Sequence, residues 1–158
     1  MTPSKFSAFA LTLALAACAT PAASPASVTR VVSTTSFGMC VGYCTTRLEI
    51  TEGQAVLIRE ARGGRGAPSP PPPAQRFSTT LTAGEWAEIQ RLAAQADLTA
   101  VPDVVGCPDC ADGGAEGLTI ETPTGAESVS LEFGADLAHA QALLERVRAL
   151  RERLTPQQ

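Results

Sequence analysis

The spacing of hydrophobic and polar residues changes several times along the chain, and each change predicts a new element. Val and Thr dominate residues 28–36, which is typical of a β-strand. Two further strands, at residues 46–51 and 54–59, flank Glu52-Gly53, a pair suited to a two-residue turn. This part of the chain therefore predicts a strand followed by a β-hairpin.

A turn at Glu52-Gly53 also fixes the register of this hairpin. It pairs Leu48 with Leu57 and Ile50 with Ala55, so that all four side chains share one face. One apolar face is what an antiparallel sheet needs when only one of its sides is covered.

Glycine and proline interrupt the strands over residues 62–75. The segment contains Pro70-Pro71-Pro72-Pro73, and consecutive prolines favour an extended polyproline II conformation. Such a rod is a ligand for aromatic grooves on partner proteins. A loop inserted between two strands explains the same residues without a partner, and we prefer that interpretation. Residues 76–80 are predicted to form the strand that follows.

A helix is predicted over residues 83–96. Thr82 and Glu85 have the spacing of a capping box at its N-terminus. Apolar residues then recur at helical spacing, at Trp86, Ile89, Ala93 and Ala96. We interpret Trp86 as a core residue rather than as a platform for a ligand.

Two elements complete the pattern. Residues 118–121 and 128–133 alternate on either side of Thr124-Gly125, which predicts a second hairpin in which Ile120 pairs with Val129 and Leu118 with Leu131. Residues 136–154 form the strongest helical pattern, with an apolar stripe of Leu137, Ala140, Leu144, Val147 and Leu154. The order of elements predicts an α+β fold, with an antiparallel β-sheet and two helices packed on one face as a two-layer sandwich.

The N-terminus has the pattern of an export signal. Lys5 precedes an almost unbroken apolar run over residues 6–17, which is shorter than the ~20 residues that a transmembrane helix needs. The run ends in Leu15-Ala16-Ala17-Cys18, which resembles the lipobox of bacterial lipoproteins. A secretory signal cleaved after an Ala-x-Ala sequence is the alternative.

The lipoprotein resemblance implies a specific architecture. Residues 1–17 would be a removed signal peptide, and Cys18 would carry a diacylglyceryl group and an acyl chain, such as palmitate, that anchor the protein in a membrane. Residues 18–27 would form a lipidated flexible tether, and residues 28–156 a single domain. The non-acidic Ala19 implies an outer-membrane location facing the periplasm.

Charge excludes some classes of partner. After removal of the signal, eleven arginines and no lysine remain against sixteen acidic residues, which gives a net charge of −5. An acidic domain without a basic stripe argues against binding to nucleic acid and to anionic lipid surfaces. The expected partners are the membrane, through the lipid anchor, and another protein of the cell envelope.

Four further cysteines form two closely spaced pairs, Cys40 with Cys44 and Cys107 with Cys110. In an oxidising envelope an even number of cysteines indicates disulfide bonds. Three connectivities are possible. Cross-pairing closes longer loops and stabilises more, but close partners meet more often, and we favour the two local disulfides.

Two other uses of the cysteines remain open. Cys107 and Cys110 have the CxxC spacing of thiol oxidoreductases, although Asp109 and Asp112 would raise a thiol pKa. All four thiols together suit a zinc site. Asp109, Asp112 and Glu116 could supply oxygen ligands to calcium, but their spacing does not match a calcium loop, and a solvated polar turn is the preferred interpretation.

The CxxxC segment and the segment CPDCADGGAE resemble those of small uncharacterised bacterial envelope lipoproteins. The resemblance implies loop disulfides in an α+β domain and carries no known activity. His139, the only histidine, is expected in the middle of the second helix and in solvent, and no catalytic motif is present. We therefore expect a non-enzymatic binding or scaffolding module without a catalytic residue, cofactor or metal. A thiol redox or metal-binding protein that uses Cys107 and Cys110 is the alternative.

Overall fold

The computed structural model describes residues 27–63 and 66–156, which form a seven-stranded sheet and two helices. The strands are β1 Arg30–Ser36, β2 Gly42–Thr51, β3 Gln54–Arg62, β4 Gln75–Thr80, β5 Val104–Val105, β6 Ala115–Thr122 and β7 Gly125–Glu132, and the helices are α1 Ala83–Gln95 and α2 Gln141–Leu154. Their order in the sheet is β4-β3-β2-β1-β6-β7-β5. Only the β5–β7 pair is parallel. The predicted α+β class is confirmed.

The first hairpin has the predicted register. Leu48 pairs with Leu57 and Ile50 with Ala55, and all four side chains are fully buried. Gly53 takes a positive φ of 74° at the second turn position. Glycine adopts this conformation without the steric cost that a Cβ would add.

The predicted register of the second hairpin is wrong by two residues. Leu118 pairs with Val129 rather than with Leu131, and Ile120 pairs with Glu127. The turn is centred on Pro123 and Thr124, because Gly125 already pairs with Thr122 as a strand residue. Proline is pre-set for the first central position of a turn. A shift of two residues keeps each side chain on its predicted face.

Both helices pack on the same face of the sheet, and their side chains join those of the strands in one apolar core. The helices run antiparallel, since Arg146 Nε donates to Glu88 at 3.1 Å and Arg153 Nη1 donates to Glu85 at 3.3 Å. Among the described residues, no helix is long and apolar enough to cross a membrane.

The capping box of α1 is confirmed. The backbone N–H of Glu85 donates to Thr82 Oγ1 at 3.2 Å, and the N–H of Thr82 donates to the Glu85 carboxylate at 2.9 Å. Trp86 is buried in the core, as predicted. The helix ends at Gln95, one residue before the predicted end.

The second helix begins later than predicted. Residues 133–140 form turns and irregular backbone, and α2 starts at Gln141 rather than at residue 136. The side chain of Gln141 accepts a hydrogen bond from the Leu137 N–H at 2.8 Å, which satisfies the backbone of this segment without a helical turn. Leu137 is still buried. His139 lies in this turn, exposed to solvent, and not in the middle of the helix.

The proline-rich segment is a loop between β3 and β4, as predicted. The Tyr43 hydroxyl donates to the Pro73 carbonyl at 3.0 Å, and the guanidinium of Arg59 lies 5.2 Å from the centre of the Tyr43 ring. The hydrogen bond holds the end of the loop against the start of β2, and the Arg59 contact packs β3 on the same ring.

Candidate functional site at the cysteine end of the sheet

The two cysteine pairs lie at one end of the sheet, with Cys40, Cys107 and Cys110 in loops and Cys44 in β2. Ser36, the last residue of β1, pairs with Ala115, the first residue of β6, so the loops 37–41 and 106–114 leave the sheet side by side. We call these two loops the cysteine end. The Cα atoms of Cys40 and Cys44 are 5.5 Å apart, and those of Cys107 and Cys110 are 5.4 Å apart. Both local pairs are therefore at disulfide distance.

One hydrogen bond joins the two loops, and two more hold Gly114 in the second loop. The N–H of Gly38 donates to Asp109 Oδ1 at 3.0 Å. The carbonyl of Gly114 accepts from the N–H groups of Asp109 and Phe133, at 2.9 and 3.1 Å. Gly114 has a φ of 89°, and a Cβ there would lie 2.5 Å from the ring of Phe37. Asp109 thus has a structural role as the link between the loops.

The backbone around Cys110 is unusual for non-glycine residues. Asp109, Ala111 and Asp112 have φ values of 58°, 50° and 60°, in the left-handed region. The left-handed conformation of Ala111 and Asp112 means that no regular right-handed helix begins at Cys110. The site therefore lacks the helix N-terminus at which the reactive cysteine of thioredoxin-like proteins lies.

Large apolar side chains are exposed at this end of the molecule. Met39 is 81% exposed and Val41 is 68% exposed, both within the loop 37–41. Phe133, which is 43% exposed, packs edge-to-face on Phe37 with ring centres 4.8 Å apart. Exposed apolar side chains that lie together are typical of an interaction surface.

A buried ion network lies beside the cysteine end, under the C-terminal half of α2. Glu116 on β6 is only 1% exposed. Its Oε2 accepts from Arg148 Nε and Nη2, at 2.9 and 2.6 Å, and its Oε1 accepts from Arg151 Nη2 at 2.6 Å. Arg151 also donates to Ser33 at 2.7 Å, and Arg148 to the Ala135 carbonyl at 2.7 Å. Every charged group of the network is therefore hydrogen-bonded.

These contacts keep Glu116 ionised. Burial raises the pKa of the Glu116 carboxyl, because a charge is less stable away from water. The hydrogen bonds and positive charges of Arg148 and Arg151 outweigh burial, so that the pKa lies below its ordinary value. Glu116 is thus a paired carboxylate, and the predicted solvated turn at this residue is wrong.

The sequence contains a signal for this network, although it matches no short motif. Glu116, Leu118 and Ile120 alternate along β6, which places Glu116 on the apolar face. Arg151 lies seven residues after Leu144, on the apolar stripe of α2. A carboxylate and a guanidinium on two buried faces predict a buried pair.

A cavity of about 500 Å³ opens between this network and the aromatic pair of half-buried Phe37 and exposed Phe133. We call it the aromatic pocket. Its lining combines two aromatic rings with hydroxyl, guanidinium and carboxylate groups: Thr35, Phe37, Thr46, Glu116, Phe133, Gly134, Arg148, Arg151, Glu152 and Thr155. Apolar walls with a few convergent polar groups are typical of small-ligand sites.

The opposite face of the sheet, away from α1 and α2, has a broader trough of about 850 Å³. Short hydroxyl side chains line it on four neighbouring strands: Thr34, Ser36, Thr45, Thr119, Ser128 and Ser130. Gly117 keeps the trough open at its centre, since a Cβ there would lie 2.5 Å from Thr34 Oγ1. This surface lacks the aromatic wall of the aromatic pocket.

The other predicted site residues do not join a common site. Within residues 27–63 and 66–156, no three His, Cys, Asp or Glu side chains lie close enough together to hold a metal ion. Cys18 lies outside the described residues. Comparison with protein-family models and with curated proteins finds no match for this chain.

Proposed function

We propose that this chain is a lipid-anchored protein of the cell envelope, whose domain binds another envelope component without catalysing a reaction. The lipobox-like residues Leu15-Ala16-Ala17-Cys18 support the anchor and the envelope location. The cysteine end supports the binding role. The single observation that carries the proposal is the exposure of Met39 and Val41 on a loop that hydrogen bonds and a cysteine pair hold in place.

A fixed loop favours binding for an energetic reason. Ordering a loop on binding costs free energy, and a loop that is already ordered avoids that cost. The short Cys40–Cys44 connection and the Gly38–Asp109 hydrogen bond restrict the residues around Met39 before any partner arrives. Exposed apolar side chains on such a loop bury surface at little entropic cost.

The anchor is tested by labelling cells with an alkyne analogue of palmitate. We expect label on the wild-type chain and none on Cys18→Ser. The intact mass of the extracted protein should show acyl groups on Cys18, and a non-reducing peptide map should show the pairs Cys40–Cys44 and Cys107–Cys110. An unlabelled wild-type chain would reject the lipoprotein proposal.

The binding role is tested by photo-crosslinking in intact cells. A photoreactive amino acid replaces Val41 at the cysteine end or, as the control, Glu52 in the exposed turn at the other end of β2. We expect a discrete crosslinked product only from position 41, and its loss in Met39→Ser. The same product from both positions, or from neither, would contradict a partner surface at the cysteine end.

A second candidate function is thiol–disulfide exchange at Cys107 and Cys110. Both residues are exposed, whereas Cys44 of the other pair is buried. A dithiol of another protein would reduce the Cys107–Cys110 disulfide to two thiols and would itself be oxidised to a disulfide. Rapid reduction of this pair by a small dithiol, with Cys40–Cys44 unaffected, would favour this function, and equal slow rates for both pairs would exclude it.

A further inference from the structure

We propose that the aromatic pocket binds the carboxylate group of a small apolar acid, with Arg148 at the charged end and Phe37 and Phe133 against the apolar body. This site is separate from the loop residues Met39 and Val41 that carry the proposed function. The proposal also does not depend on the lipid anchor.

The charge beside the pocket is unbalanced. Arg148 and Arg151 share the single carboxylate of Glu116. Within the described part of the chain, no other carboxylate lies within 4.0 Å of either guanidinium. Glu152 lines the pocket but is exposed at its edge. The cluster of buried Glu116 with the partly exposed Arg148 and Arg151 therefore carries one net positive charge, which favours a ligand with one negative charge.

Arg148 has hydrogen-bonding capacity left for a ligand. Its Nε and Nη2 donate to Glu116 and to the Ala135 carbonyl, and no bond from its Nη1 is formed within residues 27–63 and 66–156. Its side chain is 24% exposed and lines the pocket. A guanidinium held by a second carboxylate presents its remaining donors in a fixed orientation, which suits recognition of a carboxylate.

The rest of the pocket selects an apolar body of limited size. Phe37 and Phe133 supply two aromatic surfaces, and Gly134 lines the pocket without a side chain. The hydroxyls of Thr35 and Thr46 bond to each other at 2.7 Å. Each hydroxyl therefore already has a hydrogen-bond partner and does not require one from the ligand. A volume of about 500 Å³ lies within the range of small-ligand sites.

Other ligand classes fit less well. A metal cation would be repelled by the net positive charge of the cluster formed by Glu116, Arg148 and Arg151. A phosphate dianion carries more charge than the single surplus guanidinium balances. A carboxylate with an aromatic or aliphatic substituent matches both the charge and the walls, and it exists either as a free small acid or as the C-terminal residue of a peptide.

The test is calorimetric titration of the full-length chain, solubilised in a non-ionic detergent, with phenylpropionate and with the neutral phenylpropanol. A tripeptide that ends in phenylalanine, with a free or an amidated C-terminus, forms the second pair of probes. We expect saturable binding of the acid and weaker binding of the alcohol by about tenfold or more, the loss typical of a charge-assisted hydrogen bond. Binding of the free but not the amidated peptide would assign the ligand to a peptide C-terminus, and binding of the acid alone would assign it to a small acid.

Two variants and one control locate the site. Arg148→Gln should weaken binding of the acid by about tenfold or more, and should leave binding of the alcohol unchanged. Phe133→Ala removes a ring that is 43% exposed, so the fold tolerates it, and it should weaken both probes. Arg153→Gln makes the same change on α2, at a residue that does not line the pocket, and should have no effect. Equal affinity for acid and alcohol, or for the wild type and Phe133→Ala, would overturn the proposal.

Discussion

Arg151 on α2 donates a hydrogen bond from Nη2 to Oε1 of Glu116 on β6, over 2.6 Å and across 35 residues of sequence. The same arginine reaches Ser33 on β1, so that one side chain joins the helix layer to two strands. Arg148 holds the other oxygen of Glu116. The position of α2 on the sheet near the cysteine end therefore depends on a polar network as well as on apolar packing.

We predict that Glu116→Gln destabilises the protein by about 3 kcal/mol, because removing one partner of a buried ion network leaves the other charges uncompensated. Chemical denaturation monitored by the fluorescence of the buried Trp86 measures the free energy of unfolding. The matched control is Glu127→Gln on β7, which is exposed and forms no ion pair within the described residues, and should cost less than about 0.5 kcal/mol. Equal effects of the two substitutions would show that the network adds nothing to stability.

The network should also make stability depend on pH. The pKa of Glu116 is lower in the folded state than its ordinary value of 4.5. Its contribution to stability is therefore complete above the unfolded-state pKa and is lost as pH falls through the folded-state pKa. We expect the difference in unfolding free energy between the wild type and Glu116→Gln to be largest at neutral pH and to shrink in acid.

At low pH the stabilities of the wild type and of Glu116→Gln should converge. A protonated Glu116 and a glutamine are both neutral and nearly the same size, so the two proteins should approach equal stability below the folded-state pKa. Urea denaturation of both proteins at a series of pH values measures this directly. A difference that stays constant down to the acid range would mean that Glu116 is not ionised in the folded protein.

The capping box at Thr82 sets the start of α1. Thr82→Ala removes the acceptor for the Glu85 N–H and should cost about 1 kcal/mol. Thr82→Ser keeps a hydroxyl at the same position and should retain most of the stability. Thermal unfolding followed by circular dichroism compares the two variants, and equal losses would show that the side-chain oxygen does not cap the helix.

Much of the fold follows from local sequence signals. The first hairpin is predictable because Gly53 suits a positive φ and because apolar residues alternate on both strands. The register of the second hairpin is harder to predict. Pro123 moves the turn by one residue, and the apolar pattern is compatible with the predicted and with the observed register. The sequence pattern predicts too early a start for α2. Leu137 fits the apolar stripe of a helix, but in the structure it lies before the helix and is still buried.

The candidate site is less predictable than the fold. The close spacing of Cys107 and Cys110 suggests their pairing, and the structure places them at disulfide distance. The aromatic pocket depends on Phe37, Phe133 and Arg148, which lie far apart in the sequence and meet only through the order β1-β6-β7 in the sheet and the packing of α2. No local sequence pattern predicts that these three residues lie close together.

The close approach of Gly117 on β6 to Thr34 on β1 gives a test of the open face. A Cβ at residue 117 would lie 2.5 Å from Thr34 Oγ1, so Gly117→Ala should destabilise the protein by about 1 kcal/mol or more. Without that contact, alanine should stabilise a strand relative to glycine by about 0.5 kcal/mol. We therefore expect Gly117→Ala to be neutral or stabilising in a Thr34→Ala background. A double-mutant cycle from denaturation curves measures this coupling. If the two substitutions add without coupling, the strands have moved apart to admit the methyl group, and the trough does not require glycine at its centre.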